Sequence, residues 1–261
     1  MTTLTSADGT EIAYEIAGSG PPVVLVDGAM CFRDSGPMRS IADALTGRLS
    51  IGLYDRRGRG ASGDTSPYST DREIDDLAAL IGALGGAAGL FGISSGGALA
   101  LHAAAALGPA TVTRVGVYEV PFVPEPMRAG AAGYTQELTT ALAAGDREKA
   151  LRLFFSRVGM PEEAIEGMSR SPSWPVSLAI APTLAYDDEA MGDSAVPIDL
   201  VRRLRVPVLG LAGAASPDFL QFGARGVAEA AADGRFELIA GQTHAIEADA
   251  VAPHLTSFFG A

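Results

Sequence analysis

Apolar positions along this chain follow two alternating rhythms. Short blocks such as Val23-Val24-Leu25-Val26, between Pro22 and Asp27, and Val115-Gly116-Val117-Tyr118, between Arg114 and Glu119, read as strands buried on both faces. Between them, apolar residues recur three or four positions apart, as at Leu77, Leu80, Ile81 and Leu84, which is the spacing of a helix with one buried side. The pattern predicts strands near 10–17, 22–27, 49–55, 87–93, 112–119, 206–212 and 235–240. It predicts helices near 38–47, 70–84, 95–107, 217–232 and 247–259. Strands alternating with helices imply an α/β fold, a mostly parallel, doubly wound sheet covered on both faces. Thr70-Asp71-Arg72-Glu73 has the form of a capping box, with Thr70 as N-cap and Glu73 reaching back to it.

The alternation lapses between about 122 and 200. Phe122 to Arg128, a helix around Leu151-Arg152-Leu153-Phe154-Phe155 and the stretch Ser171-Pro172-Ser173-Trp174-Pro175 are helical or looping, and a strand returns only at Val206-Pro207-Val208-Leu209. Such an interruption reads as a helical lid inserted at 122–200 into a core formed by 1–121 and 201–261. A chain of 261 residues suits one domain carrying such an insertion.

Composition narrows the chemistry. A formal net charge of −12 opposes nucleic acid or an anionic membrane as partner, because phosphate binding needs clustered cations. No apolar run approaches the ~20 residues that span a bilayer, and Met1-Thr2-Thr3-Leu4-Thr5 lacks the basic and apolar regions of a signal peptide. A cytoplasmic protein is expected. The single cysteine, Cys31, admits no intrachain disulfide and reads as a packed thiol. Three scattered histidines without metal-ligand spacing give no metal site, and the absence of Gly-Xaa-Gly-Xaa-Xaa-Gly after the first strand gives no nucleotide cofactor. The expected partner is a small-molecule substrate.

The most informative stretch is Gly92-Ile93-Ser94-Ser95-Gly96-Gly97, lying between a strand and a helix. With 32 Gly in the chain, Gly-Xaa-Ser-Xaa-Gly arises by chance about 0.3 times, so its context matters more than its letters. A nucleophile elbow holds a strained serine on a sharp strand-to-helix turn and needs small residues on both sides. Ser94 meets that spacing; Ser95, with Ile93 two positions before it, does not. A serine hydroxyl needs a base. His102 and His254 fall inside predicted helices, whereas His244, in Gly241-Gln242-Thr243-His244, follows the last strand and so opens on the same sheet edge as Ser94.

These residues, together with Tyr54-Asp55-Arg56-Arg57-Gly58-Arg59-Gly60, Tyr118-Glu119-Val120-Pro121-Phe122, Thr183-Leu184-Ala185-Tyr186-Asp187 and Met191-Gly192-Asp193, make the chain resemble the α/β-hydrolase fold, and within it the lidded serine hydrolases. The resemblance implies Ser94 as nucleophile and His244 as base, with an oxyanion hole from the backbone N–H groups of Ser95 and Ala29. Asp27 stands where relatives often carry His; it is expected to point away and brace its loop. The usual place for the acid, after the strand that follows the lid, is occupied by Ser216. Asp218 is one candidate, and Glu119, at the end of the strand before the lid, is preferred to it. A Ser–His dyad without an acid also remains. Asp55 reads as a structural turn residue. Met30, Phe32, Phe122, Trp174 and Tyr186 are candidate pocket residues, and so is Phe154. The implied activity is cofactor-free cleavage of a small to medium apolar ester, lactone or thioester. Two alternatives stay open: a lyase, cyclase or carbon–carbon bond hydrolase using His244 for proton transfer, and a binding protein on a hydrolase scaffold.

Overall fold

The computed structural model describes residues 2–260. Eight strands form one sheet in the order β1-β2-β4-β3-β5-β6-β7-β8. They are β1 (Thr2–Thr5), β2 (Glu11–Gly18), β3 (Pro22–Val26), β4 (Ser50–Tyr54), β5 (Ala88–Ile93), β6 (Val112–Tyr118), β7 (Val208–Gly213) and β8 (Gly234–Ile239). From β4 to β8 every pairing is parallel, while β1 and β2 add an antiparallel edge. All seven expected strands are present within a residue or two; β1, only four residues long and largely exposed, has no apolar run to announce it.

Period-two alternation sends neighbouring side chains to opposite faces. Val24 and Val26 of β3 and Leu90 of β5 enter one core with α2 (Thr70–Ala83) and α3 (Ser95–Leu107). Val23, Leu25 and Phe91 enter the other, with α1 (Met38–Leu45) and α11 (Ala248–Phe259). Burial on both faces explains why the central strands read as unbroken apolar runs.

Between β6 and β7 the chain forms α4 (Arg128–Ala143), α5 (Arg147–Arg157), α6 (Glu162–Ser169), α7 (Trp174–Ile180), α8 (Leu184–Met191) and α9 (Ile198–Arg203). Leu138, Leu151, Phe155, Ile165, Trp174 and Leu184 give this segment a core of its own, against which Ala29 and Met30 pack from the loop after β3. The final helix pair is α10 (Asp218–Ala230) and α11, within a residue or two of the expected ranges. No helix among the described residues is long and apolar enough to cross a membrane.

The capping box is corrected. Ser69 is the N-cap of α2 and makes no side-chain cap; Thr70 is the first helical residue, its N–H donating to Glu189 Oε1 at 2.8 Å. Glu73 cannot reach back because both of its oxygens are bound by the Arg56 guanidinium, at 2.8 and 2.7 Å. A buried ion pair overrides the local cap.

Candidate active site

Ser94 caps α3 with φ 54° and ψ −132°, a region unfavourable for a residue with a Cβ. Neighbouring glycines make that turn possible. A Cβ on Gly92 would sit 2.3 Å from the Gly96 carbonyl oxygen, and one on Gly96 would sit 2.3 Å from that of Val26. The turn is held by Ser94 N–H donating to Tyr118 O at 2.9 Å and Gly97 N–H donating to Ser94 O at 2.9 Å. Gly28 lies alongside: a Cβ built there would come 3.6 Å from Ser94 Oγ.

On the neighbouring strand, β6 ends and Glu119 follows with φ 44°. Its N–H donates to Leu211 O at 3.0 Å, and its Oε1 accepts from Gly213 N–H at 2.7 Å. Oε2 lies 2.8 Å from His244 Nδ1, with Glu119 fully buried and His244 43% exposed. This contact assigns the proton on the ring to Nδ1 and leaves Nε2 free as an acceptor. Burial pushes the Glu119 carboxyl up, but the hydrogen bond from His244, the neighbouring Ser216 hydroxyl and the Gly213 N–H together bring it below its ordinary value. Tyr118, which sequence reading did not single out, donates its hydroxyl to Thr243 O at 2.6 Å and ties the histidine loop to β6. Asp218 is exposed in the first turn of α10 and does not join this cluster; Ser216 is buried beside Glu119.

The loop after β3 is held by its carbonyls. Arg56 Nη1 donates to Asp27 O at 3.2 Å, and Arg59 Nη1 donates to Gly28 O at 2.6 Å. Both guanidiniums are fully buried, and both bind Asp187 of α8: Arg56 to Oδ1 and Arg59 to Oδ2, each at 2.6 Å. Ser95 Oγ also donates to Asp187 Oδ1, at 2.7 Å. Burial pushes Asp187 up, yet the Arg59 and Arg56 charges and the hydrogen bonds from Arg59 and Ser95 hold its carboxyl below the ordinary range. Among the described residues, neither the Ala29 nor the Ser95 backbone N–H has an acceptor.

Asp27 departs from expectation. Its backbone oxygen, not its side chain, secures the loop; both carboxylate oxygens are buried without a hydrogen-bond partner. Oδ1 faces the turn at Gly36. Burial pushes this carboxyl up to about 7, against the pull of Arg59 and Arg56 and with the repulsion of Asp55. Asp55 is the brace instead, accepting from Arg33 N–H at 2.8 Å, Arg33 Nη2 at 3.0 Å and Ala61 N–H at 2.8 Å. Cys31 is a packed thiol pushed up to about 12, by burial first and then the Asp27 charge.

The candidate pocket residues separate. Met30, with φ 63°, packs against the helical-segment core that contains Trp174. Phe154 packs there too. Phe122 instead lies buried in the sheet core with Val120 and Val201, and Phe32 closes a tight turn with Ser35. Tyr186 stacks on Tyr68 with ring centroids 3.7 Å apart and donates its hydroxyl to Asp64 Oδ2 at 2.8 Å, binding α8 to the loop before α2. Among the described residues no cluster of His, Cys, Asp and Glu could hold a metal ion.

The alpha/beta hydrolase family model matches residues 18–255. A solved alpha/beta hydrolase from Sphaerobacter thermophilus is 41% identical, with TM-score 0.86, over 99% of this chain and 100% of that one. A hydrolase from Pseudomonas aeruginosa is 23% identical, with TM-score 0.77, over 100% and 98%. An enol-lactonase from Burkholderia xenovorans is 20% identical, with TM-score 0.72, over the whole of both chains. No curated protein matches the sequence.

Proposed function

Since the chain belongs to the alpha/beta hydrolase family, we propose that it is a serine hydrolase acting through an acyl-enzyme on Ser94. The observation that carries this reading is the 2.8 Å bond from His244 Nδ1 to buried Glu119, on the sheet edge where Ser94 stands in a positive-φ elbow. With Nδ1 engaged, His244 Nε2 takes the Ser94 hydroxyl proton as Oγ attacks the substrate carbonyl. The imidazolium that forms is stabilised by Glu119 and returns the proton to the leaving oxygen or sulfur; water activated by the same nitrogen then cleaves the acyl-enzyme. The free N–H groups of Ala29 and Ser95 receive the oxyanion, at about 3 kcal/mol of barrier for each donor.

The helices from 122 to 200 act as a cap over the acyl site. Their apolar core, with Met30 and Phe154 against it, favours a small to medium apolar acyl group presented as an ester, lactone or thioester. The enol-lactonase among the structural neighbours is in keeping with this range. The reaction needs no cofactor, and the partner is a small-molecule substrate.

A fluorophosphonate probe tests the proposal. Intact mass of the folded protein is expected to rise by one adduct, mapped to Ser94 and absent from Ser94→Ala, and short-chain p-nitrophenyl esters are expected to turn over. Folded protein that takes no adduct at Ser94 overturns it.

A further inference from the structure

We propose that Asp187 and Arg59 are positioning residues that set the two oxyanion donors, so that the cap itself carries the element that completes the hole. This rests on the serine-hydrolase reading above. A trans peptide is planar, with C=O and N–H pointing in opposite directions. Arg59 Nη1 holds the Gly28 carbonyl at 2.6 Å, and this turns the N–H of the same peptide, that of Ala29, the other way. A second bond from Nη1, to Cys31 O at 3.4 Å, fixes the far end of the loop. The other donor belongs to Ser95, whose hydroxyl is tied to Asp187 Oδ1 at 2.7 Å. One carboxylate of α8 therefore fixes Ser95 directly and the Ala29 peptide through Arg59, to which Asp187 Oδ2 is bound at 2.6 Å. Arg59 Nε donates to Thr183 Oγ1 at 3.1 Å, just before α8, so the guanidinium is gripped by the helical segment on two sides.

Packing alone does not call for this arrangement. Buried ion pairs return little net stability over apolar residues of similar volume, and Arg56, anchored by Glu73 at 2.7 Å, already secures this turn to α2. What the ions supply is direction: charge-assisted hydrogen bonds hold donor geometry to a few tenths of an ångström. Displacing a donor matters chiefly in the transition state, where the oxyanion is fully formed. Loss of the network is therefore expected in kcat rather than KM.

The experiment compares wild type, Ser95→Ala and Asp187→Asn on one p-nitrophenyl ester, together with inhibition by a phenylboronic acid, whose tetrahedral adduct on Ser94 places an oxygen in the hole. Ser95→Ala removes a single hydroxyl and leaves every ion pair in place. It is expected to lower kcat about 10-fold with KM within twofold, and to weaken the boronic acid by a similar factor. Asp187→Asn is expected to lower kcat at least 100-fold. Should Asp187→Asn fail to fold, the judgement falls on Ser95→Ala. A variant that loses activity through KM, or that keeps wild-type boronate affinity while fluorophosphonate labelling stays intact, overturns the positioning role alone. Absence of labelling in wild type overturns the hydrolase reading and this role with it.

Discussion

Replacing Asp27 with asparagine is expected to make the protein increasingly more stable from mild acid to alkaline pH and to change it little only near about pH 4, where the carboxyl is protonated in both states. The carboxyl is buried, both oxygens lack partners, and it is pushed from 3.8 up to about 7. The groups acting on it are Arg59 and Arg56, which favour its charge, and Asp55; the Cys31 thiol beside it stays neutral throughout this range. Folded Asp27 keeps its proton to about pH 7, whereas the unfolded chain releases it near 4. Between these values the unfolded state binds fewer protons, so stability falls as pH rises and the loss is complete above 7. Each tenfold change in proton affinity is worth about 1.4 kcal/mol, so the full loss is about 4 kcal/mol, of which about 3 falls between pH 5 and 8. Asparagine has nearly the same shape and no proton to lose. The measurement is urea unfolding of both proteins at pH 5, 6, 7 and 8, followed by circular dichroism. The midpoint difference should grow toward alkaline pH by roughly 1 M urea, for a slope of about 2–3 kcal/mol/M. A difference that stays constant within about 0.5 kcal/mol across that range refutes the reasoning, since it means that the arginines hold Asp27 ionised at all these pH values.

Two further predictions concern the machinery around Ser94. Glu119→Gln is expected to lower kcat by about 10³–10⁴-fold, because an amide stabilises the wrong tautomer of His244 and cannot compensate the imidazolium, while Asp218→Asn stays within twofold; equal effects in steady-state kinetics would contradict the assignment of the acid. Gly96→Ala puts a Cβ 2.3 Å from Val26 O and 2.5 Å from Asp27 O, backbone atoms that cannot swing aside. It is expected to cost at least about 2–3 kcal/mol in thermal unfolding, whereas Gly130→Ala, with open space around it, should cost nothing.

The parallel sheet was legible because burial on both faces forces long apolar runs, and the elbow because Gly92 and Gly96 cannot carry a Cβ there. His244 was legible by its place, the one histidine of three at the sheet edge, whereas Glu119 was preferred to Asp218 through the family resemblance, which allows an acid at the end of the strand before the lid, and because a carboxylate ending an apolar strand had no solvation to explain it. The capping box went wrong for a physical reason. Glu73 found a stronger partner in Arg56, 17 residues away in sequence, which no local pattern records. Asp27 was misjudged in a related way, because its loop is held through main-chain carbonyls that every residue possesses.

The same reasoning explains why Asp187 was missed. It was visible only as one letter of a segment shared with relatives, and its partners Arg56 and Arg59 lie 131 and 128 residues away. A signal did exist on the other side of the pairing: Tyr54-Asp55-Arg56-Arg57-Gly58-Arg59 places three guanidiniums directly after a buried strand, and Arg56, Arg57 and Arg59 are all fully buried. Charges so placed must find counter-ions. Arg57 finds Asp76 and Asp8, and Arg56 finds Glu73, all within the first third of the chain. Arg59 makes its ion pair not there but with Asp187, so its counter-ion comes from the helical segment. A basic cluster after a core strand thus implies acids to be found elsewhere, and Asp187 is the one that joins the helical segment to the loop beside Ser94.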